Sequence, residues 1–352
     1  MTLAQTIQQI QPLNRSAMEQ AEEIWNSTAK PLGALGKLED LIVQIAGITG
    51  TPRFDLSKKA VVAFCADNGV VSEGVTQCGQ YVTALVAEGF ARGTTPVCRM
   101  AAVAGADVIP IDIGISREVT EPGVWQKNVR RGTSNLAQEP AMTREEALQA
   151  IEIGSSIAQE LKNQGYTLLA TGEMGIGNTT TSSAVTAVLL NQPVERVTGR
   201  GAGLSTQGLK QKIRAISQGI ALHQPDPNDP IDVLSKVGGL DLAGLTGLYL
   251  GGAAVHLPVI IDGFIAAAAA LIAVRLCPAV RDYLIPSHQS GEPATAMLMK
   301  ELNLSPIIQA NMRLGEGTGA VTLMPLLDMA LAVYRDTPTF ETMNIEAYTE
   351  QL

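Results

Sequence analysis

Two glycine-rich stretches each carry one carboxylate: GEMGIGNTTTSS at 172–183 and RLGEGTGA at 313–320. Glycines let backbone N–H groups come close to an anion, and an isolated glutamate beside them is placed to move a proton. In the first stretch Gly175, Gly177, Asn178, Thr179 and Thr180 offer more donors than a turn needs, although a tight helix entry would use the same residues. It fits neither GxxxxGK[ST] nor GxGxxG, which argues against a nucleoside triphosphate or dinucleotide site. In the second stretch Glu316 stands between Gly315 and Gly317, without side-chain neighbours to pair it, so its carboxylate can meet a ligand closely. The bland reading is a solvated glutamate at a helix start, favoured by the helix dipole. GRGAGL at 199–204 adds a third glycine loop, with Arg200 inside it, and reads as a second wall of the same anion pocket. The pattern implies a phosphorylated ligand and acid–base chemistry in one cleft.

Other groups carry weaker signals. The segment ADNGVVSEGVTQCGQYVT, 66–83, follows a buried strand, where open α/β sheets place ligands. Asp241 in GGLDLAG and Asp262 in PVIIDG either hold sugar hydroxyls or cap helices. SHQSGEP at 287–293 has serine, histidine and glutamate together, but Ser287 and His288 are sequence neighbours and no GxSxG elbow exists, which argues against a hydrolase triad. Cys65, Cys78, Cys98 and Cys277 form no C-x-x-C, and the three histidines have no metal-ligand spacing, so reduced thiols and no metal are expected.

These loops need a scaffold, and 352 residues with 46% hydrophobic and only 4% aromatic residues suit helices of Ala, Val, Leu and Ile over a sheet. The net charge of −9, with no basic run, disfavours nucleic acid as a partner. The first residues, MTLAQTIQQIQPLN, lack the basic start and apolar core of a signal peptide, and the cytoplasm is the expected location. LPVIIDGFIAAAAALIAV at 257–274 is apolar enough to raise a membrane span. Asp262 inside it would be expensive in hydrocarbon, so it reads as buried strand, turn and buried helix, with no membrane partner.

Amphipathic spacing predicts helices over 16–28 and 35–48, separated by the breaker KPLGALG. AVVAFCADNG from Ala60 reads as a buried strand, 81–92 as a helix and ADVIPIDIG at 106–114 as a second strand. Residues 115–142 look irregular; Thr143 and Glu146 then form a capping box opening a helix to about Asn163, which Gly165 stops. YTLLATG is a third strand running into the first glycine loop, and TSSAVTAVLL continues as a helix. More β-α material is expected around 196–222, 233–276 and 282–303, with a last helix over 317–334, and PDPNDP at 225–230 reads as a surface turn. This alternation predicts an α/β fold: a doubly wound, mainly parallel sheet with helices on both faces.

KPLGALGKLE, DNGVVSEGVT, GEMGIGNTT, GRGAGL, GGLDLAGLTG, IIDGFIAAAAALIA, SHQSGEPA and RLGEGTGA follow one another from residue 30 to 320. This collinear set resembles the nicotinate-nucleotide:5,6-dimethylbenzimidazole phosphoribosyltransferase family, whose members make α-ribazole 5′-phosphate for the lower ligand of cobalamin. The resemblance covers most of the chain, and eight ordered blocks are far more specific than any one of them.

The resemblance implies a homodimer with a large α/β domain, 56–304, and a smaller helical domain from both chain ends, 1–55 with about 305–352; the loop 313–320 falls at their junction. It implies that Glu316 is the general base and that Gly175, Gly177, Asn178, Thr179, Gly201 and Gly203 bind phosphate. Gln80, Glu173, Met174 and Leu314 fall at the aromatic-base pocket, and Asp241, Asp262 and Ser290 are candidates for the ribose. The implied substrates are nicotinate mononucleotide and a benzimidazole, without a cofactor. Asn68 stands where members often carry histidine, and TQCGQ at 76–80 replaces a proline-containing version. The same loops would serve a transferase with another acceptor, such as adenine, another benzimidazole or a phenol, or a non-catalytic nucleotide-binding module. Independently of the family, the chain has no Asp-Asp pair of the kind found in pyrophosphate-releasing phosphoribosyltransferases.

Overall fold

KAVVAFCA has apolar residues for both faces of a strand, and in the computed structural model, which describes residues 1–348, all eight of its residues are buried. This strand, β1 (Lys59–Ala66), sends alternate side chains to opposite sides. Ala60, Val62 and Phe64 enter one apolar cluster and Val61, Ala63 and Cys65 the other, as the two-residue period of a strand buried on both faces requires. Five further strands complete the sheet: β2 (Ala106–Gly114), β3 (Trp125–Gln126), β4 (Leu168–Met174), β5 (Val259–Ile261) and β6 (Leu284–Pro286). Their order is β3-β2-β1-β4-β5-β6, and every pairing is parallel. The winding reverses between β1 and β4, and crevices for ligands form outside the carboxyl ends of strands at such a switch point.

Helices α1 (Leu3–Gln9), α2 (Arg15–Ser27) and α3 (Lys37–Thr49) precede the sheet. Between β1 and β2 lie α4 (Tyr81–Ala91) and α5 (Pro96–Ala104), and α6 (Arg144–Asn163) leads into β4. Between β4 and β5 come α7 (Asn178–Leu189), α8 (Val194–Val197), α9 (Thr206–His223), α10 (Pro230–Val237) and α11 (Leu240–Ala254). Helix α12 (Phe264–Leu276) joins β5 to β6, and α13 (Thr295–Glu301) and α14 (Thr318–Asp336) follow. Helices α2, α3, α4, α5 and α14 share an apolar cluster with one sheet face, and α6, α7, α10, α11 and α12 with the other. The doubly wound reading of the sequence therefore holds.

Two packing details fix the frame. Helices α6 and α11 touch backbone to backbone, since a Cβ on Gly154 would lie 2.1 Å from the Gly244 carbonyl oxygen and one on Gly247 would lie 2.0 Å from that of Ile151. The chain's two ends also meet: the Trp25 ring sits edge-on 5.0 Å from Tyr334, and the Phe340 amide donates to the Ser27 carbonyl over 3.0 Å.

Most expected elements form where the sequence places them, including the Thr143–Glu146 capping box and the strand, turn and buried helix of 257–274. Among the described residues, no helix is long and apolar enough to cross a membrane. Four details differ. The region 196–222 contains no strand, because Pro193 opens a single helical turn and Ser205 caps α9. Helix α5 lies outside the expected elements, although Pro96 sits at a first helical position, while α1, with its Thr2–Gln5 capping box, falls within the first fifty residues, which read as helical. The irregular stretch 115–142 contributes β3, a two-residue edge strand. PDPNDP is in part a helix start, where Asp229 accepts from the Ile231 and Asp232 amides.

Candidate active site

The loops that leave the carboxyl ends of β1, β4, β5 and β6 enclose a cleft of about 260 Å³. Glu173, Met174, Gly175, Gly177, Asn178, Thr179, Gly201, Asp262, Ser290, Leu314 and Glu316 all line it. Residues from five separated stretches of sequence are thus brought to one place. Three expected residues lie off the wall. Gln80 turns away to donate to the Asn68 carbonyl over 3.0 Å, Gly203 closes a turn by donating to the Arg200 carbonyl over 3.1 Å, and Asp241 is fully buried beneath the floor. Asp241 Oδ1 accepts from the Leu242 amide in the first turn of α11, so the helix-start alternative describes it better than sugar binding.

On the cleft wall β4 turns into α7. A Cβ on Gly175 would lie 2.5 Å from both the Ala66 carbonyl oxygen and Asp241 Oδ2, and Gly177 holds φ +95°, so only glycine fits this turn. Helix α7 therefore opens onto the cleft with the leading N–H groups that no helix satisfies internally, where its dipole favours an anion. Behind this turn lies Lys212, 1% exposed, whose Nζ donates to Thr179 Oγ1 over 2.8 Å and to the Gly199 carbonyl over 3.2 Å. Burial pulls the lysine down to about 8, opposed by the nearby Glu292 carboxylate. Because Lys212 donates to the Thr179 oxygen, the hydroxyl proton of Thr179 is left for a ligand.

Also on the cleft wall, Gly315, Glu316 and Gly317 take φ values of +91°, +62° and +98°. A non-glycine residue held there stores strain of order 1–3 kcal/mol, and the surroundings over-determine it. Cβ atoms on Gly172 and Gly317 would lie 2.6 Å from the Glu316 carbonyl oxygen and Val61 Cγ1 respectively, so the turn is pressed against β1 and β4. Glu316 Oε2 accepts from the Val97 amide over 3.2 Å, in the first turn of α5. Burial raises the proton affinity of Glu316, the Val97 amide lowers it and the nearby Asp262 charge raises it, with a net upward shift. A carboxylate half-withdrawn from water, held by one amide, is suited to accept a proton at neutral pH.

Glu173 lies under the same turn, its Oε1 2.5 Å from where a Cβ on Gly315 would be. Burial pushes it up to about 8, reinforced by the charges of Asp241 and Asp262 and opposed by hydrogen bonds from the Asn178 side chain and the Glu316 amide. Glu173 therefore holds its proton at neutral pH while Glu316 is the more exposed of the two, and such divergent pairs separate acid from base roles. Met174 and Leu314 supply apolar surface in the cleft, with Val75, Thr76 and Cys78 from the loop after β1. Asn68 lies behind the wall, its Cβ 3.3 Å from where one on Gly177 would sit, so it supports the turn into α7 rather than the rim.

Sequence reading missed Lys212 and Val97. Lys212 had a signal: on α9 it falls on the buried stripe with Gly208, Ala215, Ile216 and Gly219, where a lysine needs a partner. Val97 had none, since a backbone amide carries no side-chain signature.

A family model described as phosphoribosyltransferase matches residues 10–345. Over 350 residues the chain is 49% identical to the nicotinate-nucleotide–dimethylbenzimidazole phosphoribosyltransferase of Acetivibrio thermocellus, covering 99% of this chain and 100% of that one. The enzyme of that name from Clostridium acetobutylicum is 46% identical over 348 residues, covering 99% of each. The crystal structure of CobT from Thermus thermophilus superimposes with a TM-score of 0.89 at 39% identity, over 95% of this chain and 100% of that one. The chain belongs to this phosphoribosyltransferase family.

Proposed function

We propose that the protein transfers the 5-phosphoribosyl group of nicotinate mononucleotide to 5,6-dimethylbenzimidazole with inversion, releasing nicotinate and α-ribazole 5′-phosphate, in lower-ligand synthesis for cobalamin. The observation that carries this reading is that the glycine-built start of α7 and a strained, half-buried carboxylate line one cleft. Near-full-length identity to enzymes named for this reaction supports it.

The chemistry follows from the residues. A neutral benzimidazole attacks the anomeric carbon through one ring nitrogen and becomes cationic unless the other nitrogen loses its proton. Glu316 takes that proton, and a positioned base is typically worth about 10²–10⁴ in rate. The leaving nicotinate nitrogen starts positive and departs as an uncharged ring nitrogen, so it requires no acid. Attack opposite to the leaving group turns the β-configured donor into an α product. Gly175, Gly177, Asn178, Thr179 and Gly201 hold the donor phosphate, with Lys212 behind Thr179. Met174 and Leu314 pack the acceptor ring. Fixing donor and acceptor in line contributes more than proton transfer, since effective molarity accounts for about 7–11 kcal/mol.

The reading extends to a homodimer in the cytoplasm. Tyr81 and Leu85 on α4 are 64% and 52% exposed and Leu314 at the cleft is 55% exposed, apolar surface that supports a second copy as the covering partner. Sedimentation at micromolar concentration tests the dimer.

The experiment for the reaction is incubation with nicotinate mononucleotide and dimethylbenzimidazole, followed by chromatography. Equal amounts of free nicotinate and of the α-nucleoside phosphate are expected. Turnover with adenine or a phenol but not with the benzimidazole would reassign the acceptor, and no release of nicotinate with any of them would leave a binding module only.

A further inference from the structure

We infer that Asp262 is a positioning residue for Glu316, holding the left-handed turn that aims the base, and is not a ligand of the sugar. The inference rests on the reading of Glu316 as the base. Asp262 follows β5 directly and is 3% exposed. Its Oδ2 accepts from the Gly317 amide over 3.3 Å and its Oδ1 from the Ala320 amide over 3.0 Å. Both oxygens are therefore engaged by backbone at the start of α14, where a ribose hydroxyl would have to compete with them.

Helix α14 needs this help. Its N-cap is Gly317, which offers no side-chain acceptor, so the side-chain oxygen that a Ser, Asp or Asn cap would supply locally comes instead from the residue after β5. His288, which follows β6 by two residues, presses on the same turn of helix: a Cβ on Gly319 would lie 1.9 Å from its Nδ1. Ser287 Oγ lies 3.0 Å from that nitrogen and donates to the Ile261 carbonyl, tying the ring back to the end of β5. With Gly172 of β4 beneath the Glu316 carbonyl, β4 and the residues that follow β5 and β6 converge on the one turn 316–320. The titratable groups around Asp262 are His288, Glu173, Glu316 and Tyr249; its charge raises the proton affinity of both glutamates and of the tyrosine, and its pairing with His288 offsets part of its own burial.

The test is a double-mutant cycle, with wild-type turnover of nicotinate mononucleotide and dimethylbenzimidazole measured first. Asp262→Asn is expected to lower kcat roughly 10–100-fold, the scale of a small misplacement of a catalytic group, with the donor KM within about threefold. The acid limb of the pH–rate profile should move to lower pH, as loss of the neighbouring charge requires. In a Glu316→Gln background, followed in single turnovers, the same substitution should change the rate by less than about threefold, because a residue acting only through Glu316 has nothing left to act on. Equal losses in both backgrounds, or a raised donor KM with kcat unchanged, would overturn the inference and return Asp262 to the sugar. Should Asp262→Asn fail to fold, Asp262→Ser carries the same cycle with the same two outcomes. An inactive wild type would remove the transfer reading and this inference together, whereas additive losses in an active enzyme remove this inference alone.

Discussion

Replacing Lys212 by methionine deletes a positive charge behind the phosphate turn while keeping the apolar stem. Its Nζ lies 2.8 Å from Thr179 Oγ1, and a further hydrogen bond of about 2.7–2.8 Å from that hydroxyl puts an anion oxygen roughly 5 Å from the charge. At an effective dielectric constant of about 20 the attraction is about 332/(20 × 5), or about 3 kcal/mol per unit charge. Water in the open cleft reduces this to about 2–3 kcal/mol, which is roughly 30–150-fold in affinity. With the lysine drawn down to about 8, it is still mostly charged at neutral pH. Calorimetric titration with nicotinate mononucleotide reads the loss directly, and a circular dichroism melt checks the fold. The bound phosphate favours the ammonium, so near and above about pH 8 wild-type binding should also take up a proton and weaken as pH rises. That pH dependence should vanish in Lys212→Met. Affinity within about threefold of wild type, in a folded variant, would refute the placement of the anion at this turn.

Glu173 holds its proton up to about 8 in the fold, against a usual value of 4.5. The stability this gives is fully present below about 4.5 and is lost as pH rises through about 8, because the unfolded chain then releases a proton that the native state retains. Glu173→Gln should therefore narrow the drop in melting temperature between about pH 5 and about pH 9, and an unchanged drop contradicts the assignment. The upward shift of Glu316 predicts that kcat rises with pH along a limb centred above 4.5; a limb at or below that value would show a base exposed to bulk water. Gly154→Ala puts a methyl 2.1 Å from the Gly244 carbonyl oxygen, which should cost about 1–3 kcal/mol or more. The midpoint of urea unfolding reports it, and no shift would mean that α6 and α11 do not touch as described.

Much of this arrangement was legible in residue order. Alternating apolar runs and turn signals announced the parallel sheet, and glycines around Asn178 and Glu316 announced the two turns of the cleft, because backbone that must bend to φ near +90° leaves a compositional trace. What stayed hidden depends on three-dimensional approach. Gln80 and Asp241 have suitable chemistry and lie near the right loops, yet a rotation of one residue turns Gln80 to the Asn68 carbonyl, and Asp241 is covered by the turn above it. Asp262 could be read equally as sugar ligand or helix cap, and only the two amide contacts with α14, more than fifty residues away in the chain, decide it. Helix α5 was missed because PVCRMAAVA is short and its partner on the carboxylate side, Glu316, is remote in sequence.

In the proposed reaction Glu316 removes the acceptor's proton while the phosphate is held elsewhere in the cleft. Turnover of Glu316→Gln with nicotinate mononucleotide and dimethylbenzimidazole, measured beside its donor affinity, tests this most directly. A fall in kcat of about two to four orders of magnitude, with donor binding little changed, is predicted. A rate within about threefold of the wild type would contradict it.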